Sequence, residues 1–125
     1  MPGIPEDVRR FITDHIESAE QLDALVLLHS QPQRAWSAEE VSQAIFSVPQ
    51  STARSLEALE RGGLAAGEGH PPAYRYAPGN AETDARVAAV AAAYRANRVE
   101  VVKLVFTPRP DPVRSLADAF RLRKD

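Results

Sequence analysis

The fold is decided by residues 36–78, which read WSAEEVSQAIFSVPQSTARSLEALERGGLAAGEGHPPAYRYAP. Ser37 and Glu40 have the spacing of a capping box, in which the serine hydroxyl accepts the N3 amide and the glutamate reaches back to the serine amide. Trp36 and Val41 flank this cap at the spacing of a hydrophobic staple. The stretch therefore predicts a helix that begins directly after Ser37.

A second helix is predicted to follow almost at once, because the first ends near Phe46. Ser47 begins another S-x-x-Q capping pattern, and Pro49 falls in the first turn, where its missing N–H costs nothing. The second helix ends at Gly62-Gly63, since glycine enters left-handed conformations that other residues enter only at a cost.

The predicted second helix has an apolar and a polar side. Leu56 and Leu59 fall on one side with Thr52 and Ala53, at the spacing of a helix that packs on a core. The residues that point the other way are Gln50, Ser51, Arg54, Ala58 and Arg61.

Two short strands are predicted after the glycines, and they form a hairpin. The strands are Leu64–Glu68 and Ala73–Ala77, and the turn-forming residues 69–72 separate them. In the second strand two tyrosines alternate with Arg75. We expect both rings to pack beneath the hairpin while Arg75 faces solvent, rather than to form an aromatic stacking site.

This order of elements resembles the winged helix-turn-helix superfamily of DNA-binding proteins, and loosely the MarR-like transcriptional regulators within it. The resemblance covers about a third of the chain and is carried by Val48, Ser51-Thr52, Leu56–Leu64 and Tyr74-Arg75-Tyr76. It implies that the second helix is the recognition helix and that the hairpin is the wing. The DNA-binding residues that it implies are Gln50, Ser51, Arg54, Ala58, Arg61, His70 and Arg75.

Arg54 and Arg61 have two interpretations. As functional residues they contact phosphates or guanine edges in the major groove, where a bidentate arginine discriminates by about 1–3 kcal/mol. As structural residues they pair with Glu57 or Glu60 on the same helix face.

Composition limits the classes of function. The chain has 125 residues, 44% of them apolar, which suits one domain with an appendage. The absence of cysteine excludes disulfides, iron–sulfur clusters and thiol catalysis. His15, His29 and His70 lack the local spacing of a metal site, and no nucleophile motif is visible. We therefore expect no cofactor, no metal and no enzymatic activity, and in the absence of a signal peptide or membrane helix a cytoplasmic location.

Charge is distributed unevenly along the chain. Residues 1–79 carry six arginines against eleven acidic side chains, a net charge of −5, whereas residues 80–125 carry nine basic and six acidic side chains, a net charge of +3. An acidic domain is a handicap for binding DNA phosphates. An acidic winged-helix module that binds a protein partner instead of DNA is therefore the alternative function. A regulator that responds to a small ligand would need a cavity.

Two helices are predicted before the decisive stretch. The first begins at Pro5 and repeats apolar residues to Ile16, and the second follows a capping pattern at Ser18. Leu22–Leu28 would pack on the helix-turn-helix. Residues 1–79 are thus expected to form the winged helix-turn-helix domain with an N-terminal helical extension.

Residues 80–125 are expected to serve dimerisation. Asn80 can cap a long helix that reaches Phe106, although residues 99–106 also have strand-like composition. Such a helix is hard to bury within one protomer, so we expect a homodimer, the alternative being a helix that packs along its own domain. The expected heptad seam and dimer interface comprises Val87, Val90, Tyr94, Asn97, Val101 and Leu104, with the polar Asn97 able to set the register.

The chain closes with a proline-rich spacer, residues 107–112, and a short amphipathic helix at 113–124. Val113, Leu116 and Phe120 form its apolar stripe among several basic side chains. This tail helix either docks on its own dimer or binds a partner protein or the DNA backbone.

Overall fold

The computed structural model describes residues 4–106, which form six helices and a three-stranded antiparallel sheet. The elements in chain order are α1 (Glu6–His15), α2 (Ala19–Ser30), β1 (Trp36–Ser37), α3 (Ala38–Ala44), α4 (Pro49–Arg61), β2 (Ala65–Glu68), β3 (Ala73–Tyr76), α5 (Ala81–Ala96) and α6 (Arg98–Val105). The mainly helical fold with a small hairpin is as predicted. The predicted spacer and tail helix lie outside the described residues.

Three of the predicted helix starts have the expected caps. The side chains of Ser18 and Asn80 accept the amide three residues later, at 3.0 and 2.8 Å. At α3 the capping box is complete, because the Ser37 hydroxyl accepts the Glu40 amide and the Glu40 carboxylate accepts the Ser37 amide. These helices begin where local side-chain chemistry satisfies their first amides.

The start of α4 differs from the prediction. Val48 is the N-cap and makes no side-chain capping bond, while Pro49 occupies the first turn. The prediction that Ser47 caps this helix is therefore wrong. Its hydroxyl donates instead to the carboxylate of Glu20 on α2, a charged and hence stronger acceptor than a backbone group.

The sheet has the strand order β1-β3-β2, with both pairings antiparallel. The two-residue strand β1 is not predicted by the sequence, and in it Trp36 lies opposite Tyr74 of β3. Tyr74 and Tyr76 are buried, and Arg75 points away from them toward solvent, as predicted. Gly67 is needed in β2, because a Cβ there would lie 2.8 Å from the Tyr74 ring.

A single hydrophobic core joins the elements on both sides of Gly79. Helices α5 and α6 pack on α1 and α2, so the predicted boundary between residues 1–79 and 80–125 does not separate two cores. The largest fully buried side chains are Ile12, Ile16, Leu22, Leu25, Leu28, Leu56, Leu59, Leu64, Val8, Val41, Val87 and Val90.

The predicted continuous helix from Asn80 to Phe106 is wrong. It breaks at Asn97, which ends α5 and caps α6 by accepting the Glu100 amide at 3.3 Å. The break allows α6 to pack on α1 and α2 of the same chain. The helix therefore does not project from the domain.

The prediction of which residues form the dimer interface is also wrong. Val87, Val90 and Val101 are fully buried in the core of their own chain, and Leu104 is nearly so. The two other predicted members, Tyr94 and Asn97, contact Asp23 of α2 and cap α6, respectively. A seven-residue apolar repeat fits a helix on its own core as well as a seam between copies.

Candidate functional site

The solvent-facing side of α4 forms a narrow ridge. Its buried side, which includes Leu56 and Leu59, packs on α2 and α3. Side chains three or four positions apart share one face of a helix. The four exposed residues with this spacing, called here the α4 ridge, are Gln50, Arg54, Glu57 and Arg61.

Within residues 4–106, the guanidinium groups of both α4-ridge arginines have no ion-pair or hydrogen-bond partner. Neither Arg54 nor Arg61 takes part in any ion pair or side-chain hydrogen bond there. Glu60 accepts the backbone amide of Gly67 in β2 at 3.1 Å instead of pairing with an arginine. The structural interpretation, in which these arginines pair with Glu57 or Glu60, does not hold in the described part of the chain.

A carboxylate on α2 fixes the first half of α4. Glu20 accepts hydrogen bonds from the hydroxyls of Ser47 and Ser51, and from Thr52 at 2.9 Å and Ser55 at 3.0 Å. The predicted role of Ser51 as a DNA contact is therefore corrected, because its hydroxyl faces Glu20 rather than the ridge.

Four hydroxyl donors also decide the ionisation of Glu20. Its partial burial raises the pKa, but the hydrogen bonds from Ser47, Ser51, Thr52 and Ser55 outweigh this and lower the pKa below its ordinary value. The carboxylate therefore stays charged near neutral pH, and it is already occupied by donors of its own chain.

Sequence reasoning missed Glu20, since its partners lie 27 to 35 residues away. The one signal available was the repeat of Ser47, Ser51 and Ser55 at four-residue spacing, which places three hydroxyls on one helix side. A row of donors on the buried side of a helix needs an acceptor.

The turn before α4 carries two exposed apolar side chains. Phe46 is 95% exposed and Val48 is 59% exposed. Phe46 has a φ of 59°, in the left-handed region that bulky residues rarely adopt. Between them, Ser47 points inward to Glu20, and its amide donates to the Ser42 carbonyl at 2.8 Å.

The remaining predicted site residues lie outside the α4 ridge. His70 is exposed at the hairpin tip, and Arg75 pairs with Glu68 at 3.6 Å across the hairpin. Ala58 is half-buried and lines an open groove of about 460 Å³ between α4 and the start of α2, and the ridge residues Arg54 and Arg61 line the same groove. The structure thus brings Gln50, Arg54 and Arg61 together and leaves the hairpin residues on a separate element.

Within residues 4–106, no group of three or more histidine, aspartate or glutamate side chains is placed to hold a metal ion. None of the described helices is long and apolar enough to cross a membrane. No protein-family model matches the chain, and neither a curated protein nor a solved structure matches it. The functional assignment therefore rests on the α4 ridge and the elements around it.

Proposed function

We propose that this chain is a winged-helix DNA-binding transcriptional regulator in which α4 is the recognition helix. The order α2, β1, α3, α4, β2, β3 supports the proposal. A helix-turn-helix places its second helix in the major groove, and here an exposed hairpin follows that helix as a wing would.

The observation that carries the proposal is the pair of unpaired arginines on the α4 ridge. Exposed guanidinium groups bind phosphates and guanine edges, and Gln50 on the same ridge has the amide that pairs with adenine. Glu20 and Glu60 accept hydrogen bonds from neutral donors and keep their negative charges, so on α4 the attraction for DNA comes from the ridge arginines alone.

The regulator acts as a homodimer in this proposal, through a surface other than the buried seam. The outer side of α6 presents Val99, which is 61% exposed, and Phe106, which is 71% exposed. The half-buried Val102 lies between them at helical spacing. A dimeric regulator of this kind requires its two α4 helices to enter major grooves roughly 34 Å apart.

The test is a DNA titration with Arg54→Ala and Arg61→Ala. Each substitution should weaken binding by about 5- to 150-fold, because a specific arginine contact contributes about 1–3 kcal/mol. Each should also reduce the dependence of affinity on salt concentration. Arg54→Ala should also relax the base preference. Arg95→Ala is the matched control, because Arg95 is also exposed but lies on α5.

The second candidate function is an acidic module that binds a basic protein. It is favoured by the net charge of −5 over residues 1–79 and by Glu57, which lies between the two ridge arginines. A wild type that shows no salt-sensitive binding to genomic fragments at low ionic strength would reject the DNA proposal in favour of this one.

A further inference from the structure

Two of the large apolar side chains that the described residues expose lie together at the start of α4. Phe46 and Val48 are two positions apart, and both are more than half exposed. The other two such residues, Val99 and Phe106, lie on α6. An aromatic side chain in a left-handed turn and without apolar cover has no role in the packing of the core.

The backbone that carries these two side chains is anchored at Ser47. Ser47 is anchored twice, by its amide to the Ser42 carbonyl and by its hydroxyl to Glu20. Its neighbours Phe46 and Val48 are therefore presented outward from a turn whose backbone is anchored, so little backbone freedom is left to lose on binding.

We propose that Phe46 and Val48 read the C5-methyl groups of thymines in the major groove. This inference rests on the proposed DNA-binding function and extends it to base preference. The residues at the N-terminal end of a recognition helix contact base edges, and Phe46 and Val48 directly precede Gln50 and Arg54 of the α4 ridge. The thymine methyl is the apolar group that the major groove offers.

The size of this apolar surface favours a methyl group over a protein partner. A Phe and a Val together offer on the order of 300 Å² of apolar surface, whereas the apolar part of a stable protein interface covers roughly 450 Å² on each partner. The exposed neighbours Gln43, Gln50 and Arg54 are polar and suit base edges and phosphates.

The experiment begins by selecting DNA from a randomised pool with the wild-type protein. Each thymine of the selected site is then replaced by deoxyuridine, which lacks the methyl group. We expect one or more replacements to weaken binding by roughly fourfold each, the value of one buried methyl. Each of the variants Phe46→Gly and Val48→Ala should lose the preference at the thymine that its own side chain contacts, and the double variant should bind thymine and deoxyuridine sites equally.

Phe46→Gly suits this test because glycine adopts a φ of 59° freely and the removed ring covers none of the core. Arg95→Ala is the matched control, since it trims an exposed side chain on α5, outside the proposed DNA and dimer surfaces, and should keep the thymine preference.

The inference is overturned if the wild type binds thymine and deoxyuridine sites equally, or if both variants keep its preference. Loss of self-association in Phe46→Gly, with the thymine preference intact, would likewise overturn it and assign the turn to a protein contact. If the wild type selects no sequence from the pool, the proposed function itself fails.

Discussion

Glu20 joins three parts of the fold through one carboxylate. It belongs to α2, and its four hydroxyl partners come from the turn before α4 and from α4 itself. Hydrogen bonds to a charged group are roughly twice as strong as those between neutral groups. This side chain therefore fixes the position of α4 relative to α2.

Glu20→Gln should lower the free energy of unfolding by about 1 kcal/mol at pH 7, because the amide is a neutral acceptor and solvent partly screens the lost charge. The folded-state pKa of Glu20 is below 4.5, its ordinary value. Its stabilising effect is thus complete above that value and is lost as the pH falls through the folded-state pKa. Urea denaturation at pH 7 and at roughly pH 3 measures this, and the difference in unfolding free energy between the two proteins should narrow at the lower pH. An equal gap at both pH values would contradict the assignment.

Asn97 determines how the last two helices lie. It has the N-x-x-E spacing of a helix cap with Glu100, and it stands inside an otherwise continuous helical pattern. The cap turns α6 back onto α1 and α2, where Val101 enters the core. The cap at Asn97 therefore divides the segment into two helices, although its seven-residue apolar repeat favours one continuous helix.

Val101→Asp should unfold the domain rather than yield folded monomers. Val101 is 0% exposed, so the substitution buries an unpaired charge and costs more than about 3 kcal/mol. Thermal denaturation followed by circular dichroism measures the loss. Val99→Asp, at an exposed position in the first turn of α6, should change stability by less than about 1 kcal/mol. If Val101→Asp is instead a well-folded monomer, Val101 belongs to an interface between two copies and not to the core of its own chain.

Elements set by neighbours in sequence could be predicted, and those set by distant partners could not. The capping box of Ser37 and Glu40 spans three residues, and the sequence alone locates the start of α3. Strand β1 exists only because Trp36 pairs with Tyr74, and Ser47 leaves its expected capping role for Glu20. The ridge arginines follow from helical periodicity, whereas the inward turn of Ser51 depends on α2.

At the scale of the whole molecule, residues 4–106 form one core, and among them the large apolar side chains that are exposed and clear of α4 are Val99 and Phe106, on the outer side of α6. Val99→Asp should therefore convert a dimer to a monomer, with dissociation favoured at least about tenfold, because the charge would meet its own copy across a two-fold axis. Sedimentation at tens of micromolar measures this. Phe46→Gly is the control and should leave the dimer intact. A monomeric wild type would remove dimerisation from the proposal.

Ser37 ends strand β1 and also caps α3. It pairs with Ala73 of β3 while its hydroxyl accepts the Glu40 amide. The hairpin and α3 are thus joined directly at Ser37, and no residue lies between them to act as a hinge. A displacement of the hairpin is therefore expected to move α3 as well, because no loop lies between the two elements to absorb the movement.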